Sequence, residues 1–301
     1  DRHHWNQAFL FELPADINLD KLEQALNLVL RQHDAMRLRL RRDATDWVQE
    51  YAADDSPPAI LRIDLAAVPA QRRDTAIAQH AAIAQASLNL LRGPLLRAVH
   101  FTIGAGERGR LLLVIHHIAV DGVSWRLLRE DLESAYLSLR AGQQPAFAPK
   151  TTSYQAWAER LSGFANSAKL RHSMSFWTEE ADKPVNALPA EHGHCDNLEG
   201  EARSVKNRLS ADETRALLQR VPTAYRTQIN DVLLTALGRA LQQWTGGEAF
   251  RIDLEGHGRE DLFDDVDVSR TVGWFTSIFP VRLQVQPGLD EIQALKSIKE
   301  Q

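Results

Sequence analysis

The sequence has little cysteine, no long apolar run and no excess of basic residues. Cys195 is the only cysteine among the 301 residues, so no disulfide can form within the chain. No stretch approaches the roughly 20 apolar residues that a membrane-spanning helix needs. The net charge is −5, which argues against nucleic acid or an anionic membrane as the main partner. The first ten residues also lack the pattern of a secretory signal. Together these absences favour a cytoplasmic protein.

What remains is the composition of an ordinary globular protein. Hydrophobic residues make up 44% and charged residues 25% of the chain, which is enough apolar material for a sizeable core. The chain is longer than an average domain, so two lobes of roughly 150 residues are expected. A polar, turn-rich stretch at residues 183–201 is the best boundary. The sequence therefore predicts an N-terminal lobe over residues 1–182 and a C-terminal lobe over residues 183–301.

Helical and strand patterns follow one another along the chain. Leucines at helical spacing predict a helix that starts at Asp20, with Asp20 and Glu23 as a capping box. The unbroken run LLLVI, residues 111–115, predicts a strand buried on both faces. Leucines after Gly122 predict a second long helix, and the alternating run AFRIDLE predicts a strand that ends at Glu255. The pattern indicates an α/β protein.

Two histidines, His116 and His117, lie between the predicted buried strand and the helix that follows it. Such strand ends are favoured places for function, because backbone amides and the helix dipole point there. Neighbouring residues of a strand face opposite sides, so we expect His117 to face a cleft and His116 to pack. A lone histidine near a core is more often a hydrogen-bonded structural residue, and that alternative stays open.

Asp121 and Gly122 come directly before the second helix. An aspartate before glycine commonly stabilises a turn, so we expect a structural role for Asp121. Its carboxylate could instead orient the His117 imidazole or pair with an arginine. Gly122 permits close approach of a ligand, and its amide at the helix start could stabilise a developing oxyanion.

The sequence gives little support for a metal site, a serine hydrolase or a phosphate-binding loop. HGHC, residues 192–195, has metal-ligand residue types but lies in the expected lobe boundary, and His116, His117 and Asp121 lack a standard ligand spacing. We therefore predict no metal site. A G-x-S-x-G elbow is missing, which argues against a serine hydrolase. Glycine-rich phosphate loops are missing as well.

Four ordered motifs carry a resemblance to a known family. HHIAVDGVSW at 116–125 resembles the H-H-x-x-x-D-G signature of the condensation-domain superfamily of nonribosomal peptide synthetases, whose fold is similar to chloramphenicol acetyltransferase. DVLLTALG at 231–238, EGHGRE at 255–260 and RTVGWFTSIFP at 270–280 resemble, in order and spacing, the motifs that mark epimerization domains. HHWNQAF near the start and SYQAWAERL further on extend the resemblance over the whole chain.

The resemblance implies both a fold and a reaction. The fold would be a chloramphenicol acetyltransferase-like α/β fold, an α+β two-lobed sandwich with a V-shaped pair of lobes and the active site in the cleft. The substrate would be an L-aminoacyl or peptidyl thioester on the 4′-phosphopantetheine arm of a peptidyl carrier protein (thiolation domain), converted to a D/L mixture. Further partners would be the adenylation domain of the same synthetase and a downstream condensation domain. No intrinsic cofactor is implied.

The resemblance also assigns the catalytic groups. His117 and Glu255 would serve opposite faces of the α-carbon, with Gly122, Asp121 and His116 as oxyanion or structural support. Unperturbed histidine and glutamate side chains are mostly in their basic forms at neutral pH, so Glu255 would need burial to donate a proton. Glu255 could instead be a solvated carboxylate or pair with Arg259.

The family's opening and closing motifs lie outside these residues, which predicts a partial domain whose remaining active-site groups, including an Asn-Tyr pair, follow residue 301. Phe279 stands where the family usually has tyrosine.

Two alternative functions stay open. A condensation domain would form a peptide bond between carrier-bound substrates, and a noncatalytic module would only dock carrier proteins. EGHGRE argues against the first.

Overall fold

The described chain divides into two compact units. The computed structural model describes residues 2–44, 46–52, 59–189, 198, 200 and 202–301. One unit comprises Asp1–Asn166 with His257–Ser277, and the other comprises Ser167–Gly256 with Ile278–Gln301. This division differs from the lobes predicted at 1–182 and 183–301, because the first unit ends earlier and the segment 257–277 returns to it. Most of the predicted boundary stretch lies outside the described residues.

The described residues of the first unit form a four-stranded sheet, a two-stranded sheet and four α-helices. Its strands are β1 (Asn6–Glu12), β2 (Leu38–Arg42), β3 (Trp47–Tyr51), β4 (Leu61–Asp64), β5 (Leu96–Thr102) and β6 (Arg110–His116). Its helices are α1 (Leu19–Gln32), α2 (Ala70–Ala86), α3 (Gly122–Arg140) and α4 (Tyr154–Ala165). The larger sheet has the order β1-β6-β5-β4. Strand β6 pairs antiparallel with β1 and β5, whereas β4 and β5 are parallel.

Strand β6 is buried on both faces, as its apolar run predicted. Leu111, Leu113 and Ile115 pack into the larger apolar cluster, which contains residues of α1 and α3. Leu112 and Val114, which alternate with them, pack into a second cluster with residues of α2. Successive side chains of a strand point to opposite faces, so one strand supplies both clusters. His116 is therefore the last residue of the most buried strand of the unit, and His117 follows it directly.

Helix α1 is confirmed, but its predicted cap is wrong. The helix starts at Leu19, and the Asn18 side chain accepts a hydrogen bond from the Lys21 amide at 3.0 Å. Asp20 instead pairs with Arg62 at 2.6 Å, and Glu23 accepts from the Ile60 amide. The acidic side chains are thus used for tertiary contacts, which the local pattern does not contain.

The second unit is mostly helical. Its helices are α5 (Ala168–His172), α6 (Met174–Asp182), α7 (Ala211–Arg215), α8 (Val221–Tyr225), α9 (Ile229–Thr245) and α10 (Glu291–Lys299). A π-helical turn, Ala216–Arg220, lies between α7 and α8. Strands β7 (Ala249–Gly256) and β8 (Ser277–Gln284) form a two-stranded sheet. Strand β7 carries Glu255 at its end, as predicted.

Two buried histidines of the large sheet predict how stability depends on pH. Burial lowers the pKa of His100 and His116, so the native state takes up protons less readily than the unfolded chain. Stability from these groups is complete above the unfolded pKa, about 6.5, and is lost as the pH falls through the lowered native values. Urea unfolding from pH 7.5 to pH 5 should show this loss. His100→Leu should flatten the profile, whereas His172→Ala on the exposed face of α5 should not. If the free energy of unfolding of His100→Leu depends on pH as strongly as that of the wild type, His100 does not contribute to this loss of stability.

Candidate active site around His117

The imidazole of His117 is held at the end of β6 by side chains from two other parts of the first unit. His117 opens a short 3-10 turn that ends at Ala119. Its Nε2 lies 3.0 Å from Nε2 of Gln7 on β1, and its ring centroid lies 4.5 Å from that of Trp274. Its Nδ1 is buried without a hydrogen-bond partner among the described residues. The side chain is partly exposed, and its polar contact is made through Nε2.

His116 has a different environment. It is 4% exposed, its Nδ1 accepts a hydrogen bond from the Ile118 amide, and its Nε2 donates to the carbonyl oxygen of Arg2 at 2.9 Å. Burial lowers the pKa of this ring, and the Arg2 carbonyl opposes the effect. Both ring nitrogens are therefore occupied by backbone groups, which supports the packing role expected for His116.

The carboxylate of Asp121 is buried, and both of its oxygens accept hydrogen bonds. Oδ1 accepts from the Ser124 amide at 2.7 Å and so caps α3. Oδ2 accepts from the Phe275 amide at 3.1 Å. One guanidinium nitrogen of Arg259 lies 3.3 Å from both oxygens. The arrangement matches a structural aspartate paired with an arginine, and the described contacts of Asp121 do not include His117.

Arg259 connects the segment 257–277 to the start of α3. It donates to Ser124 Oγ at 3.0 Å, and to the carbonyl oxygens of Val268 and Thr271 within its own segment at 2.8 and 2.6 Å. Its guanidinium carbon lies 3.9 Å from the centroid of the Phe275 ring. Burial lowers the pKa of Arg259, and the Asp121 carboxylate opposes this shift. One side chain therefore holds the segment 257–277 against the start of α3.

Two glycines of the segment 257–277 make close backbone contacts. Gly258 has φ +68°, and a Cβ there would lie 1.6 Å from the carbonyl oxygen of Phe275. Gly273 exchanges hydrogen bonds with Ser124, because Ser124 Oγ donates to its carbonyl oxygen and accepts from its amide. Trp274 then follows and reaches the His117 ring. Residues 257–260 of EGHGRE and the RTVGWFT motif thus pack around the HHIAVDG motif within the first unit.

Gly122 is the first residue of α3 and is exposed. A Cβ at this position would meet no heavy atom within 4 Å. Packing therefore gives no reason for glycine here, in contrast to Gly258. Its place at a helix N-terminus leaves the expected oxyanion role as a proposal.

Glu255 lies in the second unit, at the end of β7, and its side chain is exposed. The burial that proton donation would require is not found. Arg259, the expected alternative partner, pairs with Asp121 instead. Of the two alternatives to catalysis, the solvated carboxylate fits the exposure of Glu255, and a salt bridge to Arg259 does not.

The described residues contain no group of three or more His, Cys, Asp or Glu arranged to hold a metal ion. The HGHC stretch at 192–195 lies outside the described residues. Among the helices that the structure describes, none combines the length and the apolarity needed to cross a membrane.

The sequence alone gives no role to several residues that contact the site, and it considers Arg259 only as a partner of Glu255. The residues without a predicted role, Gln7, Ser124, Trp125 and Trp274, all lie within stretches that carry the family resemblance. Their partners are far away in the sequence, since Gln7 and His117 are 110 positions apart and Asp121 and Arg259 are 138 apart. Only the fold connects them.

Subunits of known peptide synthetases contain a segment similar to nearly all of this chain. One of the linear gramicidin synthase subunits of Brevibacillus parabrevis is 46% identical over 299 residues, which are 99% of this chain and 6% of that protein. Surfactin synthase subunit 2 of Bacillus subtilis (strain 168) is 37% identical over 301 residues, all of this chain and 8% of the relative. The chain thus spans a small part of these relatives.

Solved structures confirm the expected chloramphenicol acetyltransferase-like fold class. The crystal structure of the epimerization domain from the third module of tyrocidine synthetase B matches with a TM-score of 0.92 and 34% identity, over 99% of this chain and 66% of that one. The first condensation domain of the calcium-dependent antibiotic synthetase matches with a TM-score of 0.78 and 21% identity, over 99% and 67%. The condensation domain model matches residues 1–301. The chain therefore belongs to the condensation-domain family.

Proposed function

We propose that this chain forms part of an epimerization domain of a nonribosomal peptide synthetase. Its substrate is an L-aminoacyl or peptidyl thioester on the phosphopantetheine arm of a carrier protein, and its product is a D/L mixture. The observation that carries the proposal is the packing of residues 257–260 of EGHGRE and the RTVGWFT motif against the HHIAVDG motif through Asp121, Ser124 and Arg259. The 34% identity to a solved epimerization domain supports the same assignment.

The chemistry requires a base and an oxyanion donor. A thioester carbonyl accepts enolate character more readily than an amide, so its α-proton can be removed without a redox cofactor. His117 serves as one base through Nε2, and the Gly122 amide at the start of α3 stabilises the enolate oxygen. Inversion needs proton traffic on both faces of the planar enolate. For the other face we propose Glu255, as the family resemblance implies, although its carboxylate is exposed in this structure.

Condensation is the second candidate, because the matching family model is that of condensation domains and the histidine motif is shared. In that reaction His117 would position an attacking amine. The two reactions leave different products.

The deciding experiment uses the synthetase that contains this chain, with its carrier protein loaded with an L-aminoacyl group. After thioester cleavage, chiral chromatography measures the D fraction. A D product supports epimerization. A peptide with the L configuration retained supports condensation, and the absence of both supports a docking module.

The role of Gly122 can be tested separately from folding. Gly122→Ala is expected to change the free energy of unfolding by no more than about 0.5 kcal/mol, because the added methyl group meets no atom. The rate of D-product formation should nevertheless fall, since the methyl group blocks the approach of the thioester oxygen to the amide. Gly163→Ala in α4, also exposed and also without an atom within 4 Å, is the matched control. Equal activity in both variants would remove Gly122 from the site.

A further inference from the structure

A chain of hydrogen bonds leads from the interior of the first unit to His117. The indole N–H of Trp125 donates to Oε1 of Gln7 at 2.8 Å. The amide nitrogen of the same Gln7 lies 3.0 Å from Nε2 of His117. Trp125 is 6% exposed and its ring lies 4.7 Å from that of Phe9. This series of hydrogen bonds therefore begins at a tightly packed side chain, that of Trp125.

The chemistry of the groups fixes the direction of both hydrogen bonds. An indole N–H can only donate, so the Gln7 atom that it contacts is the carbonyl oxygen. The other end of the amide is then NH2, which also only donates. Nε2 of His117 must accept and carries no proton. A neutral His117 in this arrangement holds its proton on Nδ1.

Nothing else among the described contacts selects this tautomer. Nδ1 is buried without a hydrogen-bond partner in the described chain, so no acceptor stabilises the proton there. The Trp274 ring packs against His117 but offers no contact that distinguishes its two nitrogens. The position of Gln7 is set by the pairing of β1 with β6, where Gln7 lies opposite Ile115. Gln7 is thus placed by the sheet itself.

We propose that Gln7, oriented by Trp125, is a positioning residue that keeps the lone pair of His117 on Nε2. This inference rests on the proposed function, in which the hydrogen bond from Gln7 to Nε2 opens and the single lone pair of Nε2 then takes the α-proton. When Nε2 gains that proton, its N–H faces the N–H group of Gln7, and the two donors repel each other. Trp125 opposes a flip of the Gln7 amide, because the flip would place NH2 against the indole N–H. The arrangement favours return of the proton over its retention on His117.

The first test does not depend on catalysis. Nitrogen-15 NMR of the substrate-free domain, with labelled histidine and His117 assigned by its loss in His117→Ala, measures which ring nitrogen is protonated. The wild type is expected to show the Nδ1–H tautomer when the ring is neutral. Gln7→Glu keeps the shape but supplies a carboxylate that accepts, so it should move the proton to Nε2. Gln7→Met should give a mixture of tautomers. An unchanged spectrum in both variants would overturn the proposal.

The second test measures turnover of the carrier-bound substrate. Loss of partners that orient a metal-bound histidine typically costs about 10- to 100-fold, and we expect a loss of that size in kcat for Gln7→Met. KM should change little, because Gln7 acts through His117. Gln155→Leu, which removes an exposed amide hydrogen bonded to Glu159, is the matched control.

The two tests separate the inference from the function on which it depends. If the wild type forms no D product, the proposed function fails, and the NMR spectrum still decides whether Gln7 sets the tautomer. If the wild type forms D product but Gln7→Met keeps full kcat, the positioning role is wrong. Thermal unfolding of Gln7→Met, Gln7→Glu and Gln155→Leu should match that of the wild type, which excludes a general loss of structure as the cause of a lower kcat.

Discussion

Asp121→Ala is expected to lower the free energy of unfolding by about 3–5 kcal/mol, the usual cost of leaving one partner of a buried ion pair uncompensated. The side chains of Arg259 and Asp121 are only 7% and 3% exposed. The variant also removes the cap of α3 and the acceptor for the Phe275 amide. Urea unfolding measures the effect.

The matched control is Asp16→Ala. Asp16 also pairs with an arginine, Arg140, but these side chains are 65% and 52% exposed, and such pairs contribute at most about 1 kcal/mol. Arg259→Met should be as damaging as Asp121→Ala. The double variant Asp121→Asn with Arg259→Met should recover part of the loss, because no unpaired charge remains. Loss of activity in Asp121→Ala with unchanged stability would instead make Asp121 a chemical participant.

His117→Ala is expected to have the largest effect on catalysis. General base catalysis by a positioned side chain typically contributes about 10²- to 10⁴-fold, and the rate of inversion should fall by that factor. Stability should change much less, because His117 is partly exposed and its polar contact is with Gln7. The initial rate of D-product formation from a loaded carrier protein measures the effect.

His172→Ala serves as the control for this experiment. His172 is exposed on α5 of the second unit, so its loss should leave the rate of inversion unchanged. A rate in His117→Ala within a factor of two or so of the control would show that another group, or water, takes the proton.

The local elements around the site could be predicted because their signals are local. The apolar run of β6 and the leucine spacing of α3 each lie within about 20 residues, and both elements are confirmed. The sequence predicts an arginine partner for Asp121 in kind, but it considers Arg259 only as an alternative partner of Glu255. Arg259 is close to Glu255 in the sequence, whereas the fold brings it to the start of α3.

The tertiary contacts of the site could not be derived from the same signals. The role of Gln7 depends on the pairing of β1 with β6, two strands with α1, α2 and β2 to β5 between them in the chain. The composition of the chain does not indicate that the segment 257–277 belongs to the first unit. The polar, turn-rich stretch that predicts a boundary lies near residue 183 instead. The motifs identified these residues as a set, but only the hydrogen bonds of Asp121, Ser124 and Arg259 explain why they occur together.

The central proposal is that His117 and Glu255 act on opposite faces of one α-carbon. Its most direct test is deuterium uptake at that carbon in deuterated water, followed separately for the L- and D-aminoacyl carrier protein. The wild-type domain should invert the centre and incorporate deuterium from either enantiomer. His117→Ala and Glu255→Gln should each lower the rate of inversion by about 10²- to 10⁴-fold, and each should retain same-face exchange with a different enantiomer. Near wild-type inversion in either variant, or exchange of the same enantiomer in both, would contradict the account.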